Sequence, residues 1–504
     1  MTQCTSAQST YIVEGVSRNQ AELHVEWRIC TVKPTLSLFA ASFLALFFTT
    51  GLQAQRSAPT ITQLFAFACD STGKVCPDGE YPNSLLQSAD GNFYGTTLVG
   101  GVGNVSAGGT VFKITPAGKF TLLYTFVADQ NGKYSNGSLP NSLVEGNDGF
   151  LYGTTLLGGP ANTGLVFKLS KKGKFQVLNS AVGYNGFGPI TLLVGRDGNL
   201  YGGTSGTNTS GGSLFRVTPS GAYTLLHVLN PTVEGPQTLG MTLASDGNFY
   251  GATLGGEELL TTVYRLTTSG QFTTLQTIHY GQTLVSPPIQ ASNGKLYGGL
   301  SRYEDQAEPS IFASSLSGRN FEDILLPQLV FGDDVQYMTQ ASDSNLWCVM
   351  VDYDLNTIEV VSLSLSGKLL QTVTFDGANG EFPDAALVQG SDGRLFGVTQ
   401  LGGTVQQGET ANGVVFALDA GLAAPRPELV IFSPSRGKVG THVAIHGTHF
   451  VGTTAVTFNG VSATFRVLNS GYILATVPQG ATTGPISVTN PGGTTASKRD
   501  FTVE

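Results

Sequence analysis

Two pairs of carboxylates sit where acid–base chemistry could be assembled: Asp333 with Asp334 in "VFGDD", and Glu381 with Asp384 in "GEFPD". A pair of carboxyl groups at a fixed separation is the equipment of glycoside hydrolysis, one protonating the leaving oxygen and the other attacking or activating water. Aromatic residues with polar neighbours accompany them: Tyr81 in "PDGEYPN", Tyr134 in "GKYSNG", Tyr184 and Phe187 in "GYNGFG", Tyr280 in "HYGQ", Phe331 and Phe382. Flat rings edged by hydrogen-bonding groups suit sugar rings, whose C–H faces stack while hydroxyls find partners. Further acids, Asp78, Glu80, Asp129 and Glu234, fall in the same kind of segment. Three readings stay open. One is a non-catalytic protein that recognises a glycan or another protein, the second a carbohydrate-active hydrolase or lyase, and the third a structural module that binds nothing.

Other chemistries find less support. His442, His446 and His449 in "HVAIHGTH" lack a nearby carboxylate or cysteine to complete a zinc site, and solvent-facing histidines are expected. "DQNGKYSNG" at Asp129 comes nearest to a calcium loop without its alternating oxygen ligands. No metal, no cofactor and no catalytic residue is assigned. There is no nucleophile elbow, phosphate-binding loop or dinucleotide fingerprint. A net charge of -9 lacks the basic footprint of a nucleic-acid binder. Cys69 and Cys76 bracket a turn-forming "DSTGKV" that a disulfide could close in an oxidising compartment, whereas Cys348 reads as a buried small apolar residue.

The elements that must position these residues announce themselves by repetition. "DGNFYG" at Asp90 returns as "DGFLYG" at Asp148, "DGNLYG" at Asp197, "DGNFYG" at Asp246, "NGKLYG" at Asn293, "DSNLWC" at Asp343 and "DGRLFG" at Asp392. Each interval carries a Gly-rich loop, a strand such as "GTVFKIT", a turn such as "PAGK", a strand such as "FTLLYTF", and a longer loop into the next motif. That makes four short strands per period of roughly fifty residues, with no amphipathic helix, the signature of a β-propeller. Asp-Gly supplies the hairpin turn because glycine adopts positive φ at little cost. The large ring at the fifth motif position (Tyr94, Tyr152, Tyr201, Tyr250, Tyr297, Trp347, Phe396) is expected to pack one sheet against the next. Closure is expected too. The last repeat lacks a fourth strand, and "ITQLFAF" (61–67) supplies one to "GVVFALDAG" (413–421), which removes free sheet edges. The expected fold is all-β, a seven-bladed β-propeller over 55–422 followed by an immunoglobulin-like β-sandwich.

This pattern resembles the GloVer repeat of choice-of-anchor bacterial proteins, built of units like "DGNLYGTT…GGxxxxGTVFKxTPSG". The likeness runs from about Ile61 to Gly421 and weakens in the fifth and sixth repeats, where "SIFASSLSG" and "EVVSLSLSG" replace the "VFK" strand and Cys348 replaces the motif glycine. The resemblance implies an exported surface protein and transfers no catalytic residue. After a linker at 423–428, residues 429–504 resemble an IPT/TIG immunoglobulin-like domain through "SPSRGKVGTHVAIHGTHF", "VTFNG", "GPISVTNPGG" and the closing "FTV". That family occurs in DNA-binding factors, receptors and secreted polysaccharide-active proteins.

Ahead of the repeats, the apolar block from Thr35 to Gln55 follows Lys33 and ends in small and polar residues. It reads as a secretory signal over 32–54, cleaved near Ala54, with an uncleaved anchor as the alternative. Residues 1–31 read as a non-native or disordered leader, with translation starting at Val32. The expected setting is extracellular or cell-surface, with no membrane span in the mature chain and an extracellular glycan or protein as partner.

Overall fold

The computed structural model describes residues 58–504, apart from the short segments 74, 103–106, 181–187, 208–209, 255–260, 279–281, 303–307, 330–332, 353–356 and 408, together with two short strands near the N-terminus. Those two, Thr5–Ala7 and Trp27–Ile29, pair antiparallel within a unit, Met1–Arg56, that is separate from the rest of the chain. The apolar block expected to be a signal lies outside the described residues. Among the described residues there is no helix, and so none long and apolar enough to cross a membrane.

The repeats fold as seven antiparallel sheets, six of which take their strands in chain order. Sheet 1 is Glu80–Gln87, Phe93–Val99, Ala107–Ile114 and Phe120–Val127. Sheets 2, 3 and 4 begin at Ser138–Glu145, Pro189–Val194 and Gln237–Leu243. Sheets 5 and 7 have a first strand in two pieces, Gln282–Leu284 with Ile289–Gln290 and Glu381–Pro383 with Val388–Gln389. In sheet 5 the break falls at Pro287 and Pro288, which have no N–H to give a ladder. Sheet 6 begins at Asp333–Gln340.

The fourth strand of sheet 7 comes from the other end of the repeat region. Thr60–Cys69 pairs antiparallel with Thr410–Asp419, Ile61 opposite Leu418 and Phe65 opposite Val415. The apolar cores follow the same circuit. Each lies between consecutive sheets, and the seventh sheet shares one with the first through Phe396, Val398 and Val415 against Phe93, Phe112 and Ile114. Tyr94, Tyr152, Tyr201, Tyr250, Tyr297, Trp347 and Phe396 each enter the core shared with the following sheet. The residue before each ring faces the other way: Phe93 packs toward sheet 7 while Tyr94 packs toward sheet 2.

The motif aspartate therefore has two tasks. One oxygen accepts the backbone N–H two residues on, as in Asn92 to Asp90 (3.1 Å) and Asn199 to Asp197 (3.1 Å). The other accepts the buried ring's hydroxyl: Tyr94 to Asp90 at 2.8 Å, Tyr152 to Asp148 at 2.7 Å, Tyr201 to Asp197 and Tyr250 to Asp246 at 2.8 Å. Burial pulls the Asp148 carboxyl upward, but hydrogen bonds from Lys168 and Tyr152 outweigh it and hold it below its ordinary range. The last motif glycine is explained by what faces it. A Cβ on Gly95 would lie 2.4 Å from the Phe112 ring, and one on Gly153 would lie 2.3 Å from Phe167. Sheet 6 solves the same space differently, placing Cys348 opposite Val361.

The C-terminal segment is a two-sheet sandwich. Glu428–Ser433, His442–Thr448, Tyr472–Thr476 and Thr464–Asn469 face a sheet that contains Gly493–Val503, Gly484–Asn490 and Ala455–Phe458. Val443, Ile445, Phe458, Ile486 and Phe501 are among its core residues. Glu428, expected at the end of the linker, opens the first strand.

Candidate functional site

Antiparallel connectivity sorts the loops by side. The Asp-Gly turns and the turns between third and fourth strands share one edge of every sheet. The loops between second and third strands and the connectors between sheets share the opposite edge. The sandwich domain lies against the Asp-Gly side. Asn469 donates to the Glu145 carbonyl (3.2 Å) and to Asn147 Oδ1 (2.8 Å), and Ala423 O accepts from Ser342 Oγ (2.6 Å) and Gln389 Nε2 (3.3 Å).

On the opposite, long-loop side, the innermost strand enters sheets 7, 1 and 2 through one shared distortion. Phe382, Tyr81 and Leu139 have φ of 59, 55 and 55°. Each stands between a glycine-initiated turn and a proline: Pro383, Pro82 and Pro140. Positive φ on a non-glycine residue costs about 1 kcal/mol, and such strain gathers at binding positions. Tyr81 and Phe382 are half-buried. Leu139 was not singled out in the sequence, although aligning "GSLPN" with "GEYPN" and "GEFPD" reveals it.

Polar groups lie just beyond these residues on the same strands. Asn83 accepts from Thr96 Oγ1 (2.7 Å) and donates to the Pro140 carbonyl of sheet 2 (3.0 Å), and Asn141 donates to the Ile190 carbonyl of sheet 3 (2.8 Å). At the equivalent place in sheet 7 stands Asp384, with Tyr337 Oη at 3.3 Å from Oδ1 and Gln400 Nε2 at 2.5 Å from Oδ2. Burial pushes this carboxyl above its ordinary range, and the hydrogen bonds from Gln400 and Tyr337 counter only part of the effect. Glu381 is exposed.

Asp333 and Asp334 are neighbours on one strand. Asp334 is 8% exposed. Tyr134 lies against Gly108, where an added Cβ would come within 2.8 Å of its ring. Tyr184, Phe187, Tyr280 and Phe331 lie outside the described residues. Asp129 uses one oxygen to close its own loop, accepting from the N–H groups of Asn131 and Lys133 at 2.9 Å. Glu234 caps the Asn230 N–H and holds His227 at 2.9 Å.

Cys69 and Cys76 are joined in a disulfide, with Glu80 close to both sulfurs. Disulfide sulfurs are not thiolates and give a metal nothing to bind. Asn412 bridges Cys69 Sγ (3.0 Å) and Glu80 Oε2 (2.9 Å), which ties this loop to the third strand of sheet 7. Burial raises the Glu80 carboxyl, partly offset by that amide.

The histidines correct an expectation. His442 is exposed, but His446 and His449 are half-buried where the sandwich meets the repeats. Burial, with Arg196 beside it, pushes His446 down to about 4. Burial also lowers His449, against the opposing pull of Glu428 and the Arg426 backbone.

The sequence reading also overlooked a chain of links between sheets. Gln290 accepts the Ser245 N–H (2.7 Å), Gln340 the Ser292 N–H (2.7 Å), Gln389 the Ser342 N–H (2.9 Å) and Gln87 the Ser391 N–H (3.0 Å). Glu145 does the same for Ala89 at 2.8 Å and pairs with Lys171. Each acceptor stands three residues before the motif Asp or Asn, a spacing that alignment of the repeats would have exposed.

Architecture and sequence together define an all-β tandem-repeat protein with an appended β-sandwich. Residues 81–288 match the Gloeobacter/Verrucomicrobia repeat and residues 427–503 match the IPT/TIG domain, in agreement with the repeat protein with a C-terminal IPT/TIG domain that the sequence resembles. No curated protein matches the sequence. Solved structures with an overlapping fold include the extracellular domain of a hybrid two-component system from B. thetaiotaomicron (11% identity, 89% of this chain and 60% of that one, TM-score 0.46). An oligogalacturonate lyase in complex with manganese (10%, 74% and 96%, TM-score 0.49) also overlaps. So does PorZ, a surface component of the type-IX secretion system of Porphyromonas gingivalis (14%, 85% and 60%, TM-score 0.44). The chain spans about 60% of the length of the first and third. Likeness at this level carries no chemistry to the present chain.

Proposed function

We propose that the seven sheets form a closed seven-bladed β-propeller over 55–422, and that the protein is an exported, non-catalytic recognition module. Its ligand is an extracellular glycan or protein, bound on the long-loop face. The observation that carries this reading is the arc of Phe382, Tyr81 and Leu139, three apolar residues at one strained position in consecutive sheets, bordered by Asn83, Asn141 and Asp384. The sandwich docks on the opposite side, where Asn469 bonds to Glu145 and Asn147. The Cys69–Cys76 disulfide suits an oxidising, extracellular compartment.

A glycan array with the purified protein, followed by product analysis on every hit, tests the proposal. Retention of a saccharide without new reducing or unsaturated ends, weakened at least tenfold by Tyr81→Ala or Phe382→Ala, is the expected result. Binding unaffected by either change would remove the long-loop face from the account. The second reading is a carbohydrate-active enzyme, and the single observation in its favour is the raised carboxyl of Asp384 under Tyr337. Turnover that Asp384→Asn abolishes would establish it in place of the first.

A further inference from the structure

We propose that the cleft between the sandwich domain and the Asp-Gly side of the repeats is a second ligand site, which takes the carboxylate or sulfate groups of an acidic saccharide between Arg196, Lys498 and His446. The cleft is about 950 Å³ in volume, in the range of sites that hold small ligands. Both bodies line it: Arg196, Ser245, Ser292 and Gln340 from the repeats, and His446, Tyr472 and Lys498 from the sandwich.

Charge argues for an anion. The chain carries a net charge of -9, yet Arg196, Arg426 and Lys498 all border this cleft with Glu428 as the one carboxylate in its lining. Elsewhere cations are matched to the motif acids, as Lys113 to Asp90, Lys168 to Asp148 and Arg394 to Asp392. Among the described residues none of the three cleft cations has a carboxylate within ion-pair distance. The Arg196 guanidinium is fixed by the Ala244 and Ser245 carbonyls (both 3.0 Å), neutral acceptors that orient it without cancelling its charge. Asp246 influences Arg196 from further away, and its oxygens are already taken by Asn248 and Tyr250.

His446 makes the site responsive to pH. Its ring lies 4.9 Å from that of Tyr472, and its strand neighbours are Ile431 and Tyr472. The charged or titratable groups around it are Arg196 from the repeats, with Glu428, Arg426, His449, Tyr472 and Lys498 from the sandwich. Repulsion from Arg196 and burial both disfavour its protonated form. An anion seated between the two reverses that repulsion, so ligand binding draws a proton onto His446. By linkage, the ligand must bind more tightly as pH falls toward the low value that His446 has in the free protein, about 4, while its own acid groups stay ionised. The Ser245, Ser292 and Ser344 hydroxyls along the walls supply partners for sugar hydroxyls.

Titration calorimetry on the full chain with hexagalacturonate, and with uncharged maltohexaose as the control, provides the test. Hexagalacturonate should bind at low salt, at least tenfold more tightly at pH 5 than at pH 7.5, with proton uptake, while maltohexaose should not compete for this site. Arg196→Gln should weaken binding at least tenfold. Lys498→Gln, an exposed change that leaves packing alone, should weaken it several-fold. His446→Gln should abolish the pH dependence. Absence of binding, or binding that survives both cation substitutions, overturns the proposal. The long-loop reading is tested by Tyr81 and Phe382, which do not line this cleft, so the two can fail separately.

Discussion

In six of the seven sheets a motif glycine faces an aromatic ring across the second and third strands, and a Cβ on that glycine would sit 2.3 to 2.5 Å from the ring. Real contacts of this kind fall near 3.5 Å or more, so about 1 Å of overlap would have to be relieved. Sheet 6 carries Cys348 opposite Val361, both fully buried, a larger residue matched to a smaller one. Val361→Phe alone should therefore drive a ring into Cys348 and cost about 2–3 kcal/mol, the scale of core overpacking. Cys348→Gly alone should leave a void and loosen the strand, at a cost of about 2 kcal/mol. The double substitution recreates the pairing of the other six sheets and should cost about 2 kcal/mol less than the two singles added together. Urea unfolding followed by tryptophan fluorescence is well placed to measure this, since Trp347 is buried beside Cys348 and the chain contains only one other tryptophan. Additivity within about 0.5 kcal/mol would refute the claim that the glycine and the ring share one packing site.

Three further outcomes are expected. Gln389→Leu leaves the Ser342 N–H without its acceptor and should lower stability by about 1–3 kcal/mol, read in the same unfolding assay; an unchanged midpoint would show the link between sheets to be incidental. Cys76→Ser opens a loop with a sequence separation of 7 and should cost about 2 kcal/mol, with earlier proteolysis at the start of Thr60–Cys69; equal protease resistance would argue that closure does not depend on that bond. Acid should destabilise the fold in two stages. His446 is held below its free value, so its contribution is complete above about pH 6.5 and is lost toward pH 4, and His446→Gln should flatten that stage of a melting-temperature profile. Asp90, Asp148 and Asp246 are also held low, so their contribution is present above about pH 4 and is lost only below it.

Much of the repeat architecture was legible because its causes are local. Asp-Gly demands a tight turn, the two residues that follow alternate across a strand, and a ring at the same position seven times must meet the same environment seven times. The orphan strand 61–67 could be matched to 413–421 because an unpaired edge is costly wherever it occurs. The long-loop side was harder to read. Tyr81 and Phe382 were found as aromatics, but their shared positive φ is a backbone property that residue type does not announce, and Leu139 carries it without being aromatic.

The sequence by itself determined the repeat, the turn chemistry, the strand count per period and the presence of an IPT/TIG domain, since each follows from interactions between residues close in the chain. Tertiary structure alone decided that the sandwich would sit against the Asp-Gly side, burying His446 beside Arg196 at a separation of 250 residues, and that Asp384 would be shielded by Tyr337 of the preceding sheet. Burial and electrostatic environment are set by whatever the fold brings alongside, and no local pattern encodes that neighbour.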